Sequence, residues 1–278
     1  MALQSGQVDL VENITNVADI QSFQESDAYT VDIASGVRCG FSWMNFNGVL
    51  GNKTLRQAIL MAIDNDTICN SKTIGGLYTP GFSVLPSTLN YGYDELVNPY
   101  TYDPEKAKEL LAEAGYPNGF ECSLYVNGEV RTRAAQIVQA QLAEVGITVD
   151  ISTYEWGAFL DSLNAGDHEM FILGWSNTSF DADGSTYQLF YSENHGATGN
   201  RAFLTDDKVD ELIINAQKES DDTKRMELYK ELQVYLHEIS PWCPLYYKND
   251  NVGVRADLKG FKLHKGAQHY LGNCHYEK

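Results

Sequence analysis

Three groupings in this chain combine residue types that can do chemistry. The first is Asp181-Ala182-Asp183-Gly184. Two carboxylates one residue apart, followed by glycine, can open a calcium loop when further acidic ligands come at fixed spacing. The next required position here is Ser185, and no glutamate follows at the right distance, so the pair reads as loop carboxylates. The second is His264, His269, Cys274 and His275. Spacings of five and six between the histidines do not match a structural zinc module. These residues read as scattered surface groups. The third is an aromatic cluster, Trp175, Phe180, Tyr187, Phe190 and Tyr191, in an irregular stretch behind an apolar strand. Part of it serves core packing. Rings and polar groups in such a segment also suit the wall of a ligand cleft.

Signatures of common enzyme classes are missing. The sequence has no GxSxG elbow, HExxH, GxGxxG or Walker A pattern. Gly75-Gly76 and Gly81 lack the lysine and following helix of a phosphate loop. A net charge of −18 excludes an extended phosphate-binding surface, which needs clustered Lys and Arg, so no nucleic-acid partner is expected. It equally disfavours an anionic membrane surface. No apolar run approaches the ~20 residues of a spanning helix, and the N-terminus has no basic or apolar leader segment. Five scattered cysteines without a CxxC read as mostly free, buried thiols. No cofactor or metal is expected.

The elements that must position a site follow from periodicity. Asp103 suits an N-cap, Pro104 the first helical position, and Ala107, Leu110, Leu111 and Ala114 form one stripe that Gly115 ends. Phe120, Cys122, Leu124 and Val126 alternate as a strand with one buried face. Helices are predicted over 54–64, 131–145, 206–219 and 222–239, with a shorter one carrying Trp156, Phe159, Leu160 and Leu163. Residues 147–151 and 245–254 read as strands, and the continuous apolar run 170–175 as a strand buried on both faces. Residues 1–50 read as mixed short pieces, while 70–101 and 176–204 read as long irregular segments. The strand–helix–strand alternation predicts an α/β domain with parallel pairing and right-handed connections.

The order of several stretches carries a resemblance. "LRQAILMAID", Gly75-Gly76, "YDPEKAKELLAEAGYPNGF", "QLAEVGITVDI", "LGW", "GNRAF", "LYKELQVYLHEISPWCPLY" and "VRADLKGFKLH" occur in a sequence that resembles the C-terminal half of the peptide- and nickel-binding family of bacterial ABC-transporter solute-binding proteins. It covers essentially the whole chain. The resemblance implies a type II periplasmic-binding-protein-like α/β lobe, a mixed sheet flanked by helices, with remnants of the second lobe. Residues 1–47 would be a remnant of the first lobe and the crossover, 48–241 the ligand-binding lobe, and 242–278 the return segment. The crossover is expected near Trp43 to Asn47 and the return near Pro241 to Leu245. Secretion signal and any lipid anchor would lie in the part not present here. The implied function is non-catalytic, extracytoplasmic capture of a small peptide or peptide-like solute, in the periplasm or as a cell-surface lipoprotein, for delivery to an ABC permease. A hydrolase or metal-dependent enzyme with dispersed residues, and a peptide sensor on the same fold, stay as alternatives.

On this reading the cleft residues are Trp175, Asn177, Thr178, Asp181, Asp183 and Tyr187, with Asn45 and Asn47 near the crossover. Trp175 is the first choice. One departure from the family pattern matters. Peptide-binding members carry, after the Gly-Trp strand end, an aspartate that pairs with the peptide amino terminus. Thr178 stands there. Either Asp181 or Asp183 supplies the charge from a shifted loop, the preferred explanation, or the ligand has no free α-amine in the usual place.

Overall fold

The computed structural model describes residues 2–71, 75–92, 100–264, 266 and 269–277. In chain order the elements are β1 (Leu10–Glu12), α1 (Val17–Gln24), β2 (Tyr29–Met44), α2 (Lys53–Ala62), α3 (Asn65–Cys69), β3 (Tyr78–Pro80), α4 (Pro104–Glu113), β4 (Glu121–Val126), α5 (Glu129–Glu144), β5 (Thr148–Thr153), α6 (Trp156–Ala165), β6 (Met170–Ser176), α7 (Asp183–Phe190), α8 (Asp207–Lys218), α9 (Asp222–Ile239), β7 (Trp242–Arg255) and a small ladder of β8 (Leu258–Lys259) with β9 (His275–Tyr276). Among the described residues no helix is long and apolar enough to cross a membrane.

Seven strands make one mixed sheet, in the order β1-β7-β2-β6-β4-β5, with β3 also paired to β7. The β4–β5 and β4–β6 pairs are parallel, as the strand–helix–strand alternation predicts. The β2–β6 and β2–β7 pairs are antiparallel. Helices cover both faces. Met170 and Ile172 of β6 pack into the layer with α2 to α5, while Phe171 and Leu173 pack into the layer with α6 to α9. The apolar run at 170–173 is therefore buried on both sides, as expected of a central strand. A third, smaller core of Leu3, Ile14, Ile20, Phe23 and Leu77 sits under β1 and α1.

Helix α4 forms as its sequence dictates. The Asp103 carboxylate accepts the Lys106 N–H at 2.9 Å, Pro104 occupies the first turn, and Ala107 and Leu111 are buried. Burying Leu111 contributes about 1.5–3 kcal/mol.

Three expectations change. Residues 29–44 are one sixteen-residue strand rather than short pieces. It runs from the small core, along an exposed stretch, into the large core, so its polarity changes along its length and hides the period. Residues 183–190 are a helix inside a segment predicted to be irregular. Gly184, Ser185 and Thr186 are poor helix formers, and burial of Leu189 and Phe190 overrides them. The 70–101 segment contains β3 and a deeply packed part, since Ser83, Val84 and Leu85 are all buried. Residues 72–74 and 93–99 of that predicted loop lie outside the described residues.

Candidate ligand cleft

In α/β sheets ligands gather at the carboxyl ends of parallel strands, where the strand order reverses. Here the ends of β4 and β6 meet the middle of β2 and β7 around a cleft of about 260 Å³. That is slightly below the ~300–1,000 Å³ of ordinary small-ligand pockets. After β4 the chain turns through Asn127 and Gly128 into α5, and Gly128 brings no side-chain cap to the first free N–H groups of that helix. The Asn127 amide donates to the Tyr154 carbonyl at 2.8 Å, tying this turn to the end of β5.

Three cations line the cleft: Arg38 on β2, Arg131 in the first turn of α5 and Lys248 on β7. Arg38 and Lys248 are register partners on neighbouring antiparallel strands. Arg38 also lies against Gly174 of β6, where an added Cβ would come 3.2 Å from the guanidinium Nε. A larger residue at 174 would crowd it. One terminal nitrogen of Arg131 donates to the Asn127 carbonyl at 3.0 Å, and its guanidinium lies 5.9 Å from the Trp156 ring centre. The Lys248 ammonium donates to the Asn13 side-chain oxygen at 2.5 Å. Tyr78 and Tyr246 form an aromatic wall, ring centres 4.5 Å apart.

Burial lowers the Arg131 pKa, and the Arg38 charge lowers it further, while Tyr246 and Tyr78 oppose this. Burial and Arg38 likewise lower Lys248, against Asp250 and Glu12. Burial raises both Tyr78 and Tyr246. The cleft therefore presents cations and neutral phenols in a chain of net charge −18.

The residues expected from sequence do not assemble here. Asn45 and Asn47 follow β2 at its other end. Seven to nine residues of strand beyond Arg38 is a distance of roughly 20–30 Å. Asn45 clips the Gly166 and His168 carbonyls at 3.1 and 2.9 Å, and its oxygen accepts the Asn47 N–H at 2.9 Å. Trp175 packs into the layer of α6 to α9, and its indole N–H donates to the Gly184 carbonyl at 2.9 Å. Asn177 is buried and bonded to Asp181, Ser185 and Ser179. Asp181 forms a two-pronged pair with Arg225 at 2.8 and 2.9 Å. Asp183 accepts from Gln217 at 2.7 Å, and Tyr187 stacks on Tyr191. Thr178 is exposed. The loop thus uses its polar groups mainly on itself and on α8 and α9. Of the histidine set, His264 and His269 are joined by a 3.1 Å hydrogen bond, and His269 lies 3.2 Å from Glu12.

Arg38, Arg131 and Lys248 were not singled out by sequence reasoning. One signal was available: Asn127-Gly128-Glu129-Val130-Arg131 follows a predicted strand and opens a predicted helix, which is where α/β folds place ligands.

A mixed sheet between two helical layers, with a cleft at the strand ends, defines the fold of one lobe of a type II periplasmic binding protein. The periplasmic binding protein DppA from Helicobacter pylori, an ABC transporter-associated protein solved in complex with peptide STSA, matches 100% of this chain and 54% of its own at a TM-score of 0.88 and 31% identity. The family described as bacterial extracellular solute-binding proteins, family 5 (middle part), matches residues 1–197. The chain belongs to that family. It is 31% identical over 270 residues to the dipeptide-binding protein of Escherichia coli (strain K12), covering 94% of this chain and 50% of that protein. It is also 31% identical over 266 residues to heme-binding protein A of Haemophilus influenzae, covering 93% and 48%. The chain thus spans about half the length of the curated relatives it matches.

Proposed function

We propose that this protein captures a small peptide or peptide-like solute outside the cytoplasm and delivers it to an ABC import permease, without catalysing a reaction. Family membership supports the class. The observation that carries the site is the cleft at the ends of β4 and β6, lined by the half-buried hydrogen-bond donors Arg38, Arg131 and Lys248. The related proteins described as dipeptide-binding and as bound to a tetrapeptide support a peptide-like ligand.

On the same reading β2 and β7 are the segments that cross between lobes. Their ladder slips register between Ser35 and Arg38, beside the cleft. The small core under β1 and α1 then belongs to the other lobe, and most of 48–241 is the ligand-binding lobe. Closure of the lobes over the solute excludes water from it.

The test is calorimetric titration of the full-length protein with di- to hexapeptides, followed by ATPase measurements on its reconstituted permease. Peptide binding that stimulates the ATPase is expected. Binding without stimulation would overturn transport in favour of sensing, and peptide hydrolysis would overturn the non-catalytic reading.

A further inference from the structure

We propose that the cleft is built for a solute with two carboxylates, a small acidic peptide or peptide-like diacid, and not for one recognised through a free amine. The proposal rests on the solute-capture reading above and names its ligand class.

The first observation is a like-charge pair. Arg38 and Lys248 face each other across adjacent strands. Directly opposed residues have Cβ atoms about 4.5–5.5 Å apart, and like charges there are destabilising. The second is that Arg131 joins them from a different element, in the same cleft. The third is the absence of counter-charge. Among the described residues no carboxylate forms an ion pair with Arg38, Arg131 or Lys248. Glu129 is the acidic residue lining the cleft, and its carboxylate turns away to Arg133. Asp250 and Glu12 act on Lys248 only through space, and Asp250 accepts the Gly266 N–H at 2.9 Å.

Each guanidinium presents a planar fork that matches one carboxylate with two parallel hydrogen bonds. Arg131 spends one terminal nitrogen on Asn127, which orients the rest of its fork. Two forks match two carboxylates, with Lys248, held by Asn13, as an added point charge. The amine side is empty in the complementary sense. Asp181 is already neutralised by Arg225, Asp183 is engaged by Gln217, and position 178 is a threonine.

The experiment compares calorimetric binding of alanyl-glutamate, which carries two carboxylates, N-acetyl-alanyl-glutamate, alanyl-alanine, which carries one, lysyl-lysine and inorganic phosphate to the full-length protein. Charge-assisted hydrogen bonds contribute about 1.5–3 kcal/mol net, roughly 10–100-fold in affinity. Alanyl-glutamate is expected to bind at least about 10-fold tighter than alanyl-alanine, and acetylation to change its affinity by less than about threefold. Arg38→Gln and Arg131→Gln are each expected to weaken alanyl-glutamate about 10-fold or more and to bring its affinity within about threefold of that of alanyl-alanine, since one fork then remains for one carboxylate. Arg38→Gln should also melt no lower than the parent, because it removes a like-charge contact; a merely structural arginine would lower the melting temperature. Equal binding of acidic and neutral peptides overturns this proposal and leaves solute capture standing. Phosphate competing as well as the diacid identifies a general anion site and overturns the ligand class. No binding of any peptide overturns the capture reading itself.

Discussion

Replacing Asp181 with asparagine separates two roles for this carboxylate. If it pairs with a ligand amine, Asp181→Asn damages binding. If it is structural, the damage is to stability. Both its oxygens meet Arg225, at 2.8 and 2.9 Å, and one also accepts the Asp183 N–H at 2.9 Å. The Arg225 guanidinium lies 4.6 Å from the Tyr91 ring centre and its Nε bonds the Ala216 carbonyl. The pair therefore ties the 177–183 loop to α8 and α9. Its side chains are 18% and 30% accessible. Breaking a buried pair costs about 3–5 kcal/mol, and an exposed pair contributes about 0–1 kcal/mol. This intermediate case should cost about 2 kcal/mol, since asparagine keeps one acceptor. For a chain of this size that is a fall of roughly 4–8 °C in melting temperature. The assay is thermal unfolding in parallel with calorimetric peptide binding. The expected result is the lower melting temperature with peptide affinity unchanged within about twofold. A tenfold loss of affinity with unchanged melting would refute the structural assignment and restore Asp181 as the amine partner.

Stability should also fall with acid. Burial depresses His168 and His237 from 6.5 to about 4, so both must stay neutral when folded. Their contribution is complete above pH 6.5 and is lost as pH falls to about 4, roughly 3 kcal/mol each; urea midpoints at pH 7.5 and 4.5 check it, and an unchanged midpoint contradicts it. Arg56, 3% exposed, donates to the carbonyls of Leu50, Gly51, Ile239 and Ser240 and sits 3.9 Å over the Phe46 ring. Arg56→Met should cost about 3–5 kcal/mol in chemical unfolding, because buried carbonyls lose their donors, and a cost under about 1 kcal/mol would show that they find other partners. Gly119 has φ +76°, and a Cβ there would lie 1.8 Å from the Gly146 carbonyl oxygen. Gly119→Ala should therefore lose about 3 kcal/mol or more, visible as a lower denaturation midpoint.

What was legible in the sequence was what local rules decide. The Asp103-Pro104 start of α4, its stripe and its glycine stop needed no tertiary information, and the two-sided burial of β6 followed from its unbroken apolar run. β2 was not legible, because one strand runs through an exposed stretch and a buried core in succession. α7 was not legible, because packing of Leu189 and Phe190 outweighs a weak helical sequence. The cleft was hardest. Its three cations come from positions 38, 131 and 248, so no spacing rule links them. Only the pairing of β2 with β7 and the turn after β4 bring them together. The aromatic loop at 175–191 drew notice because its signal is local. Its rings and amides are spent mainly on holding that loop to the sheet and to its neighbouring helices.

The most direct test of the cleft is a backbone amide NMR titration with a pool of di- to hexapeptides. Shifts concentrated at residues 38–40, 127–131 and 246–248, with residues 177–187 and Arg225 little moved, are the predicted result. Shifts confined to 177–187, or a dispersed spectrum of the full-length protein that no peptide perturbs, would contradict it.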